Sequence, residues 1–407
     1  MSVRPGPAAP RGADGVASAA EHGTPRRIVI VGHGIAGLTA GDTLRAEGFD
    51  GELVVVGQEW HAPYSRPALS KAMLSDPTAT GPEPEAQALA APSDGARVLA
   101  GRSAVRLDPT ARTVHLDDGT ALDYDELVIA SGARPRRFTD SPDELTLRTL
   151  DDARALRRRL VGRPEVTVIG GGPLGMEVAS AARESGCDVT LLQRGVPMQR
   201  HVGAFLGGMC TAAARERGVR VVDATVTAVR PSPAGGLRLE LSDGTVLAAG
   251  TVVTAIGDEA NVEWLAGSGL LSDGRLLTDE RGVVAPGIVA AGDVAWRRTG
   301  AGLRRRSLWT DAIEQARAAA LALLHGPDAA PADYAPYFWT EQFGLNVRIC
   351  GEVPAGVTPT VVDGDLAEPR ALLQWEGPAQ GGAAAAVNFR ISVPRLRRLA
   401  RPAAVPA

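Results

Sequence analysis

From Arg26 to Val31 the chain is short, apolar and mostly β-branched; a helical pattern carried by Leu38, Ala40 and Leu44 then runs to Gly48, and Glu52 to Val56 is apolar again. A continuous apolar run closed by turn residues predicts a strand buried on both faces, and the helical period predicts a helix laid over it. The order returns later: Glu165 to Ile169 is a strand, Met176 to Ser185 a helix and Asp188 to Leu192 the next strand. Each unit is followed by a hairpin with a polar turn. Val114 to Leu122 turns at Asp117-Asp118-Gly119, and Leu237 to Val246 turns at Ser242-Asp243-Gly244. Each hairpin leads into a further buried strand, Leu127 to Ala130 and Val252 to Ile256. The predicted fold class is therefore α/β, in two halves that share one plan. The helix Asp311 to Leu324, with Ile313, Ala316, Ala320 and Leu323 inward, is expected to close the first half, and Pro327 to Pro336 to be a linker.

What separates the first strand from the first helix is Gly32-His-Gly34-Ile-Ala-Gly37, and in the second unit it is Gly170-Gly-Gly172-Pro-Leu-Gly175. A glycine triplet between strand and helix is the dinucleotide fingerprint in its required context. The first glycine permits the tight turn, the second lets a pyrophosphate approach the backbone, and the third packs helix on strand. The helix start then offers amides and the positive end of its dipole. About 20 residues further on an acid should bind the adenosine ribose. Glu59 is one candidate and Gln58 the other. Two fingerprints imply two dinucleotides, or one dinucleotide and a structural relic.

Composition narrows this picture. With 407 residues the chain exceeds the roughly 250–300 at which one core stops growing, so two or three domains are expected. A net charge of −4 describes an ordinary soluble surface and gives no reason to expect nucleic acid or membrane as partner. No apolar run approaches the ~20 residues that span a bilayer. Residues 1–25, rich in Ala, Pro and Gly, are expected to be a disordered arm without a secretory signal, and the protein to be cytoplasmic. Cys187, Cys210 and Cys350 are scattered, which indicates neither a disulfide framework nor a metal site. Among 43 basic residues a single lysine occurs, Lys71, inside Tyr64-Ser-Arg-Pro-Ala-Leu-Ser-Lys71.

Seven ordered motifs now make a resemblance visible. They are Gly32 to Gly37, Tyr64 to Lys71, Ala130-Ser-Gly-Ala-Arg134, Gly170 to Glu177, Gly287-Ile-Val-Ala-Ala-Gly-Asp293, Trp309 to Gln315 and Tyr337-Phe-Trp-Thr-Glu-Gln342. From about Arg26 to Ala355 the sequence resembles the two-dinucleotide-binding-domain flavoproteins. Within them it is similar to the ferredoxin reductases that supply Rieske dioxygenases and bacterial cytochromes P450. The resemblance implies two Rossmann-like domains, for FAD and for NAD(P)H, and a C-terminal α+β domain. The expected division is 26–142 with 258–326 for FAD, 143–257 for NAD(P)H and 331–407 for the C-terminal domain.

It also implies a site. Lys71 lies beside the isoalloxazine in this family and pairs with the glutamate after the second glycine motif, here Glu177; these two are the expected catalytic residues. A fixed cation in a water-poor site stabilises the charge a reduced flavin gains. A compact ammonium can sit near one atom where a guanidinium fork wants two acceptors. The expected FAD contacts are Gly32, Gly34, Ala36, Gly37, Gln58, Glu59, Arg66, Lys71, Ala104, Ser131, Gly132, Arg134, Gly257, Gly292, Asp293 and Trp309. For the nicotinamide cofactor they are Gly170, Gly172, Leu174, Gly175, Gln193, Arg194 and Arg200. An NADH site carries an acid at the end of its second strand. Here that position is Gln193, followed by Arg194 and Arg200, so NADPH is expected to be accepted and to be preferred, against the reading in which Gln193 binds NADH ribose unaided.

No cysteine occurs between Met1 and Gly186, which argues against thiol chemistry at the flavin and for an external electron acceptor. A [2Fe-2S] ferredoxin is the expected partner. Arg297, Arg298, Arg304, Arg305 and Arg306 are its expected docking surface, unless they form only a soluble loop. Two other classes stay open: a flavin oxidase or monooxygenase using oxygen directly, and a nicotinamide-sensing flavoprotein. Departures from the family pattern at Ser307 to Asp311 and Asp258 to Asn261 keep them so.

Overall fold

The computed structural model describes residues 26–74, 87–91, 95–162, 164–233, 235–299, 302–332, 335–377 and 382–401. The expected N-terminal arm, part of the linker and the final residues 402–407 lie outside these. Two parallel sheets dominate. The first has six strands, in the order Val283–Ala285, Ile288–Ala290, Glu126–Ile129, Arg27–Val31, Glu52–Gly57 and Arg97–Ala100. The second has five, in the order Arg220–Asp223, Asp188–Gln193, Glu165–Ile169, Thr251–Thr254 and Glu144–Leu145. All neighbours run parallel except the outermost pair of the first sheet.

Their central strands are buried on both faces: Ile28, Val29, Ile30, Leu127, Val128 and Ile129 are fully enclosed in the first sheet. That is why they read as unbroken apolar runs rather than as alternating ones. The predicted hairpins are three-stranded flaps, Ala104–Asp108 with Thr113–Leu116 and Ala121–Asp123, and Val226–Pro231 with Leu237–Leu241 and Val246–Ala249. The antiparallel C-terminal sheet has the order Tyr337–Gln342, Leu345–Gly351, Ala383–Val387, Arg370–Trp375 and Thr360–Asp365.

Three details differ from expectation. The strand drawn to Ile256 stops at Thr254, because Ala255 must place its carbonyl over Gly170, and Ile256 is left 38% exposed. The closing helix runs Trp309–His325 and buries Ala312, Ala316, Ala319 and Ala320, while Ile313 and Leu323 are only half-buried. Packed against the helix Ile35–Ala46, it turns its small residues inward, where close helix contact needs them. The segment carrying Lys71, begun by Arg66 and Pro67, is only a 3-10 turn at Arg66–Ala68 followed by further turns rather than a continuous helix.

Candidate functional site

Both glycine turns are built alike. Gly32 has φ +127°, and a Cβ there would stand 2.0 Å from the Ala130 carbonyl oxygen; Gly170 has φ +103° and would meet the Ala255 oxygen at 2.3 Å. The third glycines, Gly37 and Gly175, lie so close to the turn that a Cβ would be 1.9 Å from the oxygens of Gly32 and Gly170. The middle glycines face open space. No protein atom lies within 4 Å of a Cβ at Gly34, and at Gly172 the nearest is His201 at 3.7 Å. No acid occupies the first turn of either following helix, Ile35–Ala46 or Pro173–Glu184, so both present their amide ends to an anion. A diphosphate fits these cradles.

The first cradle opens into a cavity of about 1130 Å³, above the roughly 300–1,000 Å³ of ordinary ligand sites. Of the expected contacts, Gly32, Gly34, Ala36, Gln58, Glu59, Arg66, Lys71, Ala104, Ser131, Gly132, Arg134, Gly292, Asp293 and Trp309 line it. Gly37 acts in packing only. From the second set the structure brings Leu174 and Glu177 to the same wall, whereas Gly170, Gly172, Gly175, Gln193, Arg194 and Arg200 lie outside it, as does Gly257. The large cavity is thus where the two units meet. Its far wall is aromatic, formed by Trp309, Tyr337, Phe338 and Trp339, with Tyr337 and Trp339 stacked at 5.8 Å.

At that junction Lys71 Nζ lies 2.8 Å from Glu177 Oε2, the two side chains 18% and 6% exposed. Ser70 Oγ donates to the same oxygen, and Thr340 Oγ1 donates to Oε1 at 2.7 Å. Near the expected ribose end, both Glu59 oxygens already accept, one from Tyr64 Oη at 2.5 Å and one from Arg66 at 2.6 Å. Gln58, exposed beside it, carries no such engagement in the structure. Burial, with Glu59 accepting the phenol's hydrogen bond, raises the Tyr64 hydroxyl well above its ordinary value in spite of Arg66. His33, between the first two glycines, has its imidazole lowered by burial against the opposing pull of Glu59.

Two residues that line the cavity, Arg148 and Asn261, escaped sequence reasoning. Arg148 reaches Asp293 Oδ2 at 2.8 Å and lines the cavity; its only signal was a cation just before the Thr149 and Asp152 capping box that opens the next helix. Asn261 ties down the turn at Ser131, donating from Nδ2 to the Ser131 carbonyl at 2.9 Å and accepting at its own carbonyl from Ser131 Oγ at 2.8 Å. Arg134 lines the cavity while its guanidinium pairs with Glu259 and Glu263.

Most of the expected arginine patch is engaged within the chain. Arg304 and Arg306 share Glu352, Arg305 pairs with Asp258 at 2.6 Å and donates to the Asp293 carbonyl, and Arg297 donates to the Ala332 carbonyl. Arg298 alone of the five is exposed. A run of like charges repels itself, and the fold answers by setting acids and carbonyls among them. Arg304 nevertheless keeps 40% of its side chain exposed while paired.

No cysteine lines the cavity among the described residues. All three thiols are buried, and burial pushes Cys210 up to about 12 and Cys350 up to about 11, so neither is a thiolate at neutral pH. Among the described residues no helix is long and apolar enough to cross a membrane.

Two parallel sheets, each with a glycine turn, joined over one deep cavity and walled by an antiparallel sheet, define a two-dinucleotide oxidoreductase fold. A family model described as pyridine nucleotide-disulphide oxidoreductase matches residues 26–319, and the chain belongs to that family. It is 37% identical over 365 residues to the chlorobenzene dioxygenase ferredoxin reductase component of Cupriavidus sp. (strain PS12), covering 85% of each chain. To the anthranilate 1,2-dioxygenase system ferredoxin–NAD(+) reductase component of Burkholderia cepacia it is 38% identical, across 93% of this chain and 95% of the relative. The covalent putidaredoxin reductase–putidaredoxin complex superposes with a TM-score of 0.79 at 31% identity, over 89% of this chain and 90% of that one.

Proposed function

We propose that the chain is an FAD-dependent NAD(P)H:ferredoxin reductase, taking a hydride from a reduced nicotinamide dinucleotide and passing single electrons to a [2Fe-2S] ferredoxin that serves an oxygenase. Residues 26–142 and 258–326 hold FAD in this reading, 143–257 hold the nicotinamide cofactor, 331–407 form the third domain, and the protein works in the cytoplasm. The observation that carries it is the Lys71–Glu177 pair in the wall where the two dinucleotide units meet. The names of the relatives supply the acceptor.

FAD, when bound, supplies the conversion of one hydride into two single electrons. The chain's own part is binding, orientation and charge. Gly34 and the helix beyond it cradle the diphosphate, and Arg66 and Tyr64 fix Glu59 on the ribose side. Asp293, oriented by Arg148, would accept a hydroxyl of the ribityl chain. Lys71 offers a cation to the negative charge that reduction brings, and the aromatic wall keeps water from weakening that attraction. On the nicotinamide side Gln193 Oε1 accepts from the Gly171 amide at 2.7 Å, and position 193 itself carries no carboxylate to repel a 2′-phosphate. Asp223, in register with Gln193, turns its carboxylate to the Gly195 amide; exposed Arg194 and Arg200 outnumber it, and NADPH is favoured.

The test is anaerobic reduction by NADPH and by NADH, followed by addition of [2Fe-2S] proteins while flavin absorbance is monitored. Rapid reoxidation by at least one ferredoxin is expected, together with a fall of about 100-fold in the rate of flavin reduction for Lys71→Met. Reoxidation at useful rates by oxygen alone would favour the oxidase class. A long-lived reduced species indifferent to every acceptor would favour the sensing class.

A further inference from the structure

We infer that Thr340, on the first strand of the C-terminal sheet, is a positioning residue for Lys71 that acts through Glu177 and has its direction set by Gln342. This deepens the proposed reaction and rests on Lys71 serving the flavin. Glu177, Ser180 and Glu184 recur at helical spacing on Pro173–Glu184, so they share one face of that helix. The C-terminal sheet seats on this face. Thr340 Oγ1 donates to Glu177 Oε1 at 2.7 Å, and the Phe343 amide donates to Ser180 Oγ at 2.7 Å, each across 163 residues of sequence. Thr340, Gln342 and Glu177 are 0%, 3% and 5% exposed.

The geometry divides labour between the two carboxylate oxygens. Ser70 and Lys71 both address Oε2, and Thr340 addresses Oε1. The donors on Oε2 resist rotation of the carboxylate about its last bond, and Thr340, the donor on Oε1, holds the other end so that its plane is fixed from both sides. A threonine hydroxyl has one hydrogen and could point it elsewhere. Here the Gln342 amide nitrogen donates to Thr340 Oγ1 at 3.1 Å, which occupies a lone pair and turns the hydroxyl hydrogen onto Glu177. Lys71 Nζ donates both to Glu177 Oε2 at 2.8 Å and to the Pro67 carbonyl at 3.2 Å, so the placing of the carboxylate sets where between these two acceptors the ammonium sits. The C-terminal domain thereby reaches the reacting centre through a relay of hydrogen bonds.

The test is a double-mutant cycle on the holoenzyme, reading anaerobic flavin reduction by stopped flow, with flavin content as the check on folding. Thr340→Val, which keeps the shape and removes the hydroxyl, should slow reduction about tenfold, since small misplacements at a reacting centre are costly. Thr340→Ser should recover most of that loss. In the Lys71→Met background Thr340→Val should cost no more than about twofold, because the cation it positions is gone. A wild-type rate for Thr340→Val, no recovery with serine, or the same tenfold loss in both backgrounds would overturn the proposal. If Thr340→Val loses its flavin, Thr340→Ala is read by the same criteria. A wild-type rate for Lys71→Met alone would instead remove the role proposed for Lys71, a separate failure.

Discussion

The two glycine turns are near copies in backbone and unlike in what surrounds them. The Gly32 amide donates to Val56 at 2.8 Å and the Gly170 amide to Leu192 at 2.9 Å; Ala130 donates to Val31, and Ala255 to Ile169, both at 2.8 Å. Yet the first turn opens into a cavity lined by residues far apart in sequence, Tyr64, Arg148, Trp264, Trp309 and Trp339 among them, whereas most of the second lies outside that cavity. Past the first turn Glu59 is engaged by two donors; past the second an amide clips the turn and two arginines stand exposed. Under the proposed function the same backbone device would serve retention in one half and exchange in the other. What decides is the packing around it, which suits a resident cofactor in the first cradle and a passing one in the second.

The largest effects should come from breaking the copy itself. Gly32→Ala places a methyl 2.0 Å from a backbone oxygen at φ +127°, and no folded holoenzyme is expected. Gly34→Ala meets no protein atom, so the chain should fold while FAD binding weakens. Overpacking costs about 1–3 kcal/mol, or roughly five- to 150-fold in affinity. If the second cradle is the exchanging one, Gly172→Ala should leave FAD content intact and raise KM for the pyridine nucleotide. Flavin absorbance after purification separates these outcomes, and equal FAD loss in Gly34→Ala and Gly172→Ala would erase the distinction.

A smaller change sharpens the exchange side. Arg194→Ala combined with Arg200→Ala should raise KM for NADPH about tenfold, the scale of a lost charge-assisted contact, and leave KM for NADH within about twofold. Gln193→Glu should act in the same direction by adding repulsion. Equal effects on both nucleotides would mean that these side chains do not meet the 2′-phosphate.

Local features were legible in the sequence to the extent that each was determined by neighbours in the chain. The glycine turns, buried strands and flaps each depend on a period or a turn within a few residues, and those appear where expected. The Lys71–Glu177 pair was reached only through resemblance, since 106 residues separate its partners. Thr340 was legible as part of a motif but not as Glu177's donor, and Arg148 not at all, because each acts across a domain boundary that no local pattern records. The arginine run shows the opposite case. Its sequence is conspicuous, but its neutralising partners Asp258 and Glu352 come from elsewhere in the chain.

The smallest effect tests the far end of the copy. In the first sheet Ile28 pairs with Glu126, and at the matching place in the second Val166 pairs with Thr251. Glu126 Oε2 is buried with no hydrogen-bond partner, and burial pushes its carboxyl up to about 7, opposed by Arg112 and reinforced by Asp125. The ordinary value is 4.5, so below that pH both folded and unfolded chains hold the proton and the fold bears no penalty. As pH rises from 4.5 to about 7 the unfolded chain releases it first, and stability falls until the folded carboxyl also ionises. Glu126→Gln removes the titration while keeping the volume. Its melting temperature relative to the parent chain should therefore rise with pH across that window and level off above it. The gain should be a few degrees, since about 1 kcal/mol moves a domain of this size by roughly 2–4 °C. The Thr251 position has no carboxyl, so Thr251→Ser should show no such pH dependence. A Glu126→Gln difference that stays constant from pH 5 to pH 8, values bracketing most of the window, would show that this carboxyl stays ionised in the fold, and the two sheets would then be alike in their response to pH.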